Sequence, residues 1–246
     1  PFLAGKVVAE ACFSGSIPGA ISLCPNGLTS QTGPGAGVSC TLPGCDHGTH
    51  VAGIAAGKGA NFAGVATDAE IISIQIFSRF NDPATCAGLN ATAPCLASVT
   101  RDQISALDEV RAMSAALNVA AVNMSLGGGA FTAVCDSDSR RTPIDALRRL
   151  KVATVVAAGN GGLTNALSAP ACISSTVSVG ATTKADRVAD YSNSASFLSL
   201  LAPGGDGSEF FCTPSVTGFW PGNGVSGSLV FVFGSRFVPG QSRASI

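Results

Sequence analysis

The run Asp46-His47-Gly48-Thr49-His50-Val51-Ala52-Gly53-Ile54-Ala55-Ala56-Gly57 holds both histidines of the chain. Histidine takes and returns a proton near neutral pH without special surroundings. The residues after His47 are mostly small or apolar, with Val51 and Ile54 one helical step apart. The run therefore reads as a buried helix, pressed on its neighbours closely enough to need glycine and alanine. His47 stands at its N-terminal end, which sets an imidazole at the rim of a rigid core element. For an isolated His-x-x-His pair, two histidines capping a helix is the simpler reading; the full string is more specific than that.

Strands and helices alternate after this helix. Residues 70–77 are nearly all apolar or β-branched and read as a strand. Residues 78–97 read as a loop. Thr100 reads as the N-cap of a helix whose capping box is completed by Gln103, with Ile104, Leu107, Val110 and Leu117 on its apolar face. A strand over residues 119–124 ends in Ser125-Leu126-Gly127-Gly128-Gly129. Thr142-Pro143-Ile144-Asp145 opens another helix, with cap, proline and acid in their expected places. Residues 152–158 form a continuously apolar strand that ends at Gly159-Asn160-Gly161, and residues 176–180 form one more short strand. Before the histidines, residues 1–8 run from a turn into a short strand, and residues 13–45 read as a long, cross-linked loop. Alternating helices and uninterrupted apolar strands specify an α/β fold with a mostly parallel sheet covered on both faces. Function in such sheets gathers at the carboxyl ends of the strands, here the two Gly-rich segments after residues 124 and 158.

Length and composition narrow the classes. At 246 residues the chain fits one large α/β domain or two small ones. A net charge of −1 with only 12% charged residues gives no basic surface for nucleic acid or an anionic membrane. Runs such as residues 228–234 are too short to span a bilayer. The chain starts at Pro1, without methionine or signal peptide, and so reads as a processed product or a fragment. The nine cysteines lie mostly in loop-like sequence, which favours disulfides and an oxidising, extracellular setting over buried free thiols. Cys86 and Cys95 enclose a short loop and form the best candidate pair, and the odd count leaves one thiol over. No Cys-x-x-Cys spacing supports zinc. Asn90-Ala91-Thr92 is a plausible glycosylation acceptor, whereas Asn123-Met124-Ser125 reads as buried. From about Gly205 the character changes. Phenylalanine clusters at Phe210, Phe211, Phe219, Phe231, Phe233 and Phe237, and helical periodicity ends.

The histidine string resembles the histidine motif of the subtilases, the subtilisin-like serine peptidases of family S8. The resemblance implies a three-layer subtilisin-like fold, with His47 as general base and His50 as a structural neighbour. Residues 155–160, Val-Val-Ala-Ala-Gly-Asn, resemble the family segment that carries the oxyanion-hole asparagine. An asparagine beside glycine can simply stabilise a turn; the resemblance assigns the oxyanion role to Asn160. In subtilisin itself, loss of that asparagine costs about 2.7–4 kcal/mol of transition-state stabilisation. Asn123-Met124-Ser125-Leu126-Gly127-Gly128 resembles the segment that pairs with extended substrate. The resemblance makes Ser125, Leu126, Gly127 and Gly128, with Ala158 and Gly159, substrate-binding residues; a phosphate-binding Gly-rich turn is the alternative. Leu201-Ala202-Pro203-Gly204 is a weaker, fourth match.

Two family motifs are missing. A Leu-x-Gly-Lys-Val stretch like that of residues 3–7 follows the catalytic aspartate in subtilases, so the chain reads as truncated just downstream of that residue. Asp46 is the only aspartate before His47 and adjoins it too closely to fold back on its ring. The Gly-Thr-Ser-Met-Ala nucleophile segment is also absent. Ser226 lies where that serine is expected by spacing, but residues 229–233 after it, Leu-Val-Phe-Val-Phe, read as a strand and not as a small-residue helix. Ser226 is thus a weak nucleophile candidate. Residues 1–204 read as an incomplete subtilisin-like peptidase domain and residues 205–246 as an atypical tail, frameshifted or disordered.

The expected activity is a serine endopeptidase working through an acyl-enzyme on polypeptide substrates, with little or no activity in this chain. The alternative is a non-catalytic relative that binds extended peptides. A metal enzyme using His47 and His50 is a third reading, which lacks the zincin spacing. The expected protein is a secreted monomer that binds neither nucleic acid nor membrane. The family implies structural calcium, for which the sequence assigns no ligands, and no other metal or cofactor is expected.

Overall fold

The structure is a computed structural model that describes residues 2–42, 44–89 and 91–205 and the backbone of residues 229–233. Strand β1 (Val7–Phe13) runs further than the short strand expected at residues 7–8. The expected loop after it is indeed cross-linked, by Cys12–Cys24 and Cys40–Cys45, but it also holds the short strands β2 (Ala20–Ile21) and β3 (Ser30–Thr32). Helix α1 (His47–Ala56) is the expected helix, with His47 in its first turn.

Strand β4 (Glu70–Gln75) stops two residues short of the expected end. The chain then enters a small antiparallel sheet, in which β5 (Phe77–Phe80) pairs with β2 and with β6 (Cys95–Ser98). The loop expected over residues 78–97 is corrected accordingly: it contains β5, β6 and the short helix α2 (Pro83–Gly88). The Asp82 carboxylate caps α2 by accepting from the Thr85 N–H at 2.7 Å, and Pro83 needs no donor there. The expected Cys86–Cys95 disulfide closes this hairpin.

Helix α3 (Thr100–Leu117) begins without the expected capping box, because Val99 is the cap residue and no side chain caps it. Gln103 is engaged elsewhere: its carbonyl accepts from Arg140 Nη1 at 2.7 Å in a buried bond. A tertiary contact thus overrides the local motif. Strands β7 (Val119–Met124) and β8 (Gly128–Phe131) follow. Helix α4 (Arg141–Arg149) starts one residue before Thr142, which is therefore not its cap. The guanidinium of Arg140 meets Asp138 in a two-pronged pair instead, Nε to Oδ1 at 2.9 Å and Nη2 to Oδ2 at 2.5 Å. Strands β9 (Ala153–Ala157), β10 (Leu167–Ala169), β11 (Val177–Thr182), β12 (Leu200–Pro203) and β13 (Leu229–Phe233) complete the described chain. Ser226, Cys212 and Asn90 lie outside the described residues.

The main sheet has the order β12-β11-β9-β7-β13-β4-β1-β3. Strands β12, β11, β9 and β7 are parallel, as are β4 and β1, whereas β13 and β3 run antiparallel to their neighbours. Side chains alternate across a strand, and β4 shows what this does. Ile72 and Ile74 join the core formed with Leu107 and Val110 of α3 and Ile144 and Leu147 of α4. Ile71, one residue before Ile72 and so on the opposite face, packs with Ala52 and Ala56 of α1. Helices α3 and α4 therefore cover one face and α1 the other, which is the expected three-layer α/β arrangement. Fully burying each isoleucine of β4 contributes about 1.5–3 kcal/mol.

Candidate active site

Helix α1 fits its place because its buried positions are Gly48, Ala52, Gly53 and Ala56. At Gly53 a Cβ would stand 2.9 Å from the ring of Phe2, so even alanine is too large there. This close seating fixes the N-terminal turn, where the His50 N–H bonds the Asp46 carbonyl at 3.0 Å. Asp46 and His50 are exposed, whereas His47 is half-buried and turns inward. Its ring reaches the Ser125 carbonyl at the end of β7. Burial lowers the imidazole pKa below its ordinary value of 6.5; the Ser125 carbonyl opposes that shift, His50 adds to it and Asp46 opposes it. The positive end of the α1 dipole also disfavours a charged ring. At neutral pH His47 is a neutral base. Its Nε2 is buried and has no hydrogen-bond partner among the described residues.

The second part is the segment after β7. Asn123 Nδ2 donates to Ser125 Oγ at 2.9 Å, bracing the turn out of the strand. Leu126 is buried, and a Cβ on Gly127 would stand 3.0 Å from Ser168 Cβ. Gly128 then opens β8, which is exposed along its length and pairs only with β10 among the described strands. The edge of β8 that no described strand pairs with can accept another strand.

The third part is the turn after β9. Ala158 is buried, and its N–H bonds the Val179 carbonyl at 2.8 Å. Gly159 has φ +110, and a Cβ there would overlap Asn193 Nδ2 and Ser168 Oγ. Glycine is required on both counts. Asn160 follows, exposed, on a loop held from below. Asn160, Gly159, Ala158, Ser125 and Asn123 line one open cavity of about 310 Å³, together with Tyr191, Ser192 and Pro203. A second cavity of about 350 Å³ lies at the other end of α1, beside Phe2, Lys6 and Lys58, away from the histidine.

The fold thus brings His47 to Ser125, and puts Ser125 and Asn160 on one cavity at the carboxyl ends of β7 and β9. Sequence reading missed Asn193 and Ser168, which hold this place together from buried positions 7% exposed or less. Their neighbours along the chain carry no motif, so nothing local points to them. Among the described residues no group of three or more His, Cys, Asp or Glu side chains could hold a metal ion.

A half-buried histidine against Ser125 and an amide side chain on the cavity that Ser125 also lines stand at the carboxyl ends of neighbouring parallel strands. The sequence model of the Subtilase family, Peptidase S8, matches residues 41–229, and the chain belongs to that family. Alkaline protease 1 of Aspergillus clavatus is 33% identical over 162 residues, covering 65% of this chain and 34% of that protein. Proteinase T of Parengyodontium album is 33% identical over 163 residues, 65% of this chain and 47% of its own. An extracellular serine proteinase of Thermus sp. is 32% identical over 161 residues, 64% of this chain and 32% of its own. Among solved structures, the protease domain of PatA, as a mutant, superimposes with a TM-score of 0.50 at 26% identity, covering 65% of this chain and 52% of that one. The chain spans about a quarter to a half of the length of the curated relatives it matches.

Proposed function

We propose that this site is built for peptide-bond hydrolysis through an acyl-enzyme. His47 takes the proton of the attacking hydroxyl and returns it to the leaving amine. The Asn160 carboxamide donates to the oxyanion of the tetrahedral intermediate. Ser125, Leu126, Gly127 and Gly128, with Ala158 and Gly159, align an extended polypeptide through main-chain bonds, so the substrates are polypeptides of many sequences. The observation that carries this reading is the seating of a neutral, half-buried His47 against Ser125, which lines the same cavity as Asn160. Ser226 remains the candidate nucleophile.

The proposal includes little or no peptidase activity for the sequence as it stands. Among the described residues no carboxylate bonds the His47 ring, and the sequence has no Gly-Thr-Ser-Met-Ala segment. Removing one triad serine or histidine lowers kcat on the order of 10⁶-fold. The test is degradation of an unstructured protein by the chain and by His47→Ala. The expected outcome is no difference above background, and robust His47-dependent cleavage would refute it. That Nε2 of His47 has no hydrogen-bond partner among the described residues leaves room for a second reading, a peptide-binding relative without catalysis. That reading predicts saturable peptide binding and no labelling by a serine-directed phosphonate.

Four disulfides support a secreted protein. The change of composition at about Gly205 supports a division into a peptidase unit, residues 1–204, and a distinct tail.

A further inference from the structure

Asn193 is 1% exposed, and all four hydrogen-bonding positions of its carboxamide are filled. Its Oδ1 accepts from the Gly161 N–H at 2.9 Å and the Leu163 N–H at 3.1 Å. Its Nδ2 donates to the Ala158 carbonyl at 3.2 Å and to Ser168 Oγ at 3.3 Å. Two backbone N–H groups can only face an oxygen, so these partners also fix which way the amide points. The backbone adds to the grip: the Asn193 N–H bonds the Gly159 carbonyl at 2.9 Å. Both neighbours of Asn160, Gly159 and Gly161, are therefore bonded to this one residue. Ser168 extends the network, because its Oγ donates to the Gly129 carbonyl at 3.1 Å, next to the segment that aligns substrate.

We propose that Asn193 is the positioning residue of this site: it sets where the Asn160 carboxamide stands and, through Ser168, ties that turn to the strand edge at Gly128 and Gly129. A turn asparagine with a merely local role bonds its own loop. Asn193 instead reaches a turn some thirty residues away and leaves no polar atom of its own unpaired. The alignment of oxyanion donor and substrate strand is then one mechanical unit, with Asn193 and Ser168 at its joint. This inference rests on the reading of Asn160 as the oxyanion donor.

The test uses the isotopically labelled full chain, its Asn193→Ala, Asn193→Asp and Asn160→Ala variants, and the double variant that combines Asn193→Ala with Asn160→Ala. Hydrogen exchange of the Gly161 and Leu163 amides is measured against Ile72 and Val122 in the sheet. Binding of an acetylated tetrapeptide carboxylate is compared with that of its C-terminal amide, the carboxylate standing for the oxyanion. In Asn193→Ala, exchange at Gly161 and Leu163 should rise at least tenfold while Ile72 and Val122 stay unchanged. The preference for carboxylate over amide should fall to that of Asn160→Ala, and the double variant should lose nothing more. Asn193→Asp keeps both acceptors and loses both donors. It should keep Gly161 and Leu163 protected while the Gly129 amide region shifts. Unchanged exchange at Gly161 and Leu163, or a uniform rise at all four amides, would overturn the proposal. If Asn160→Ala leaves the carboxylate preference intact, the oxyanion reading fails; the exchange data then still decide whether Asn193 holds the turn.

Discussion

Replacing Gly159 by alanine puts the packing of the site under direct test. Gly159 has φ +110, where an L-residue is strained by about 1–3 kcal/mol. The added methyl would also occupy the space of Asn193 Nδ2 and Ser168 Oγ. Moving them apart breaks the bonds from Nδ2 to the Ala158 carbonyl and to Ser168 Oγ. Each is worth about 0.5–1.5 kcal/mol net, and more if a partner stays buried and unpaired. The sum is a destabilisation of about 2–6 kcal/mol. Gly128→Ala is the control, since its φ is ordinary and a Cβ there meets nothing within 4 Å; it should change stability by less than about 0.5 kcal/mol. Urea unfolding followed by circular dichroism measures both. The midpoint should fall for Gly159→Ala with little change in slope. Equal, small effects of the two substitutions would refute the claim that the turn below Asn160 is sterically closed.

Three further outcomes follow from the geometry. Arg140→Met leaves the half-buried Asp138 and the buried Gln103 without their partner and should cost about 3 kcal/mol, the low end of the range for a broken buried pair. Arg140 holds the Asp138 carboxyl below its ordinary value of 3.8, so that contribution is present above pH 3.8 and fades as pH falls through the folded value; acid unfolding of the variant should lack this portion. His47 should titrate below 6.5 by NMR, chiefly because burial disfavours its charged form. Between its folded value and pH 6.5 the unfolded chain binds the extra proton, so stability should fall as pH falls across that window, and His47→Gln should flatten the slope. Titration at or above 6.5 would contradict the buried seating. Replacing Cys135 and Cys172 by alanine opens a bridge that closes a separation of 37 residues and should cost about 4 kcal/mol by loop-closure entropy, read as a lower midpoint in urea.

Much of this was legible in the sequence because it rests on local periodicity. The helix after Asp46, the strands ending before Ser125 and Ala158, and the Cys86–Cys95 bridge each follow from residues adjacent in the chain. The losses came where distant partners decide. Gln103 is spaced for a capping box, yet Arg140 takes its carbonyl. Residues 78–97 are polar and Gly/Pro-marked enough to read as loop, yet a proline-led turn and a disulfide make a hairpin with a helical turn of them. Asn193 looks like any residue of a Ser-Asn-Ser turn. Its importance comes from the Gly159 turn that the fold sets above it, and no spacing rule encodes that meeting.

The most direct test of the central claim is a titration of the labelled chain with an uncleavable extended peptide, followed by amide and histidine resonances. Saturable shifts confined to residues 125–129, 158–161 and the His47 ring are the predicted result. Binding elsewhere, or none at millimolar peptide, would contradict the account that these elements form a site for polypeptide chains.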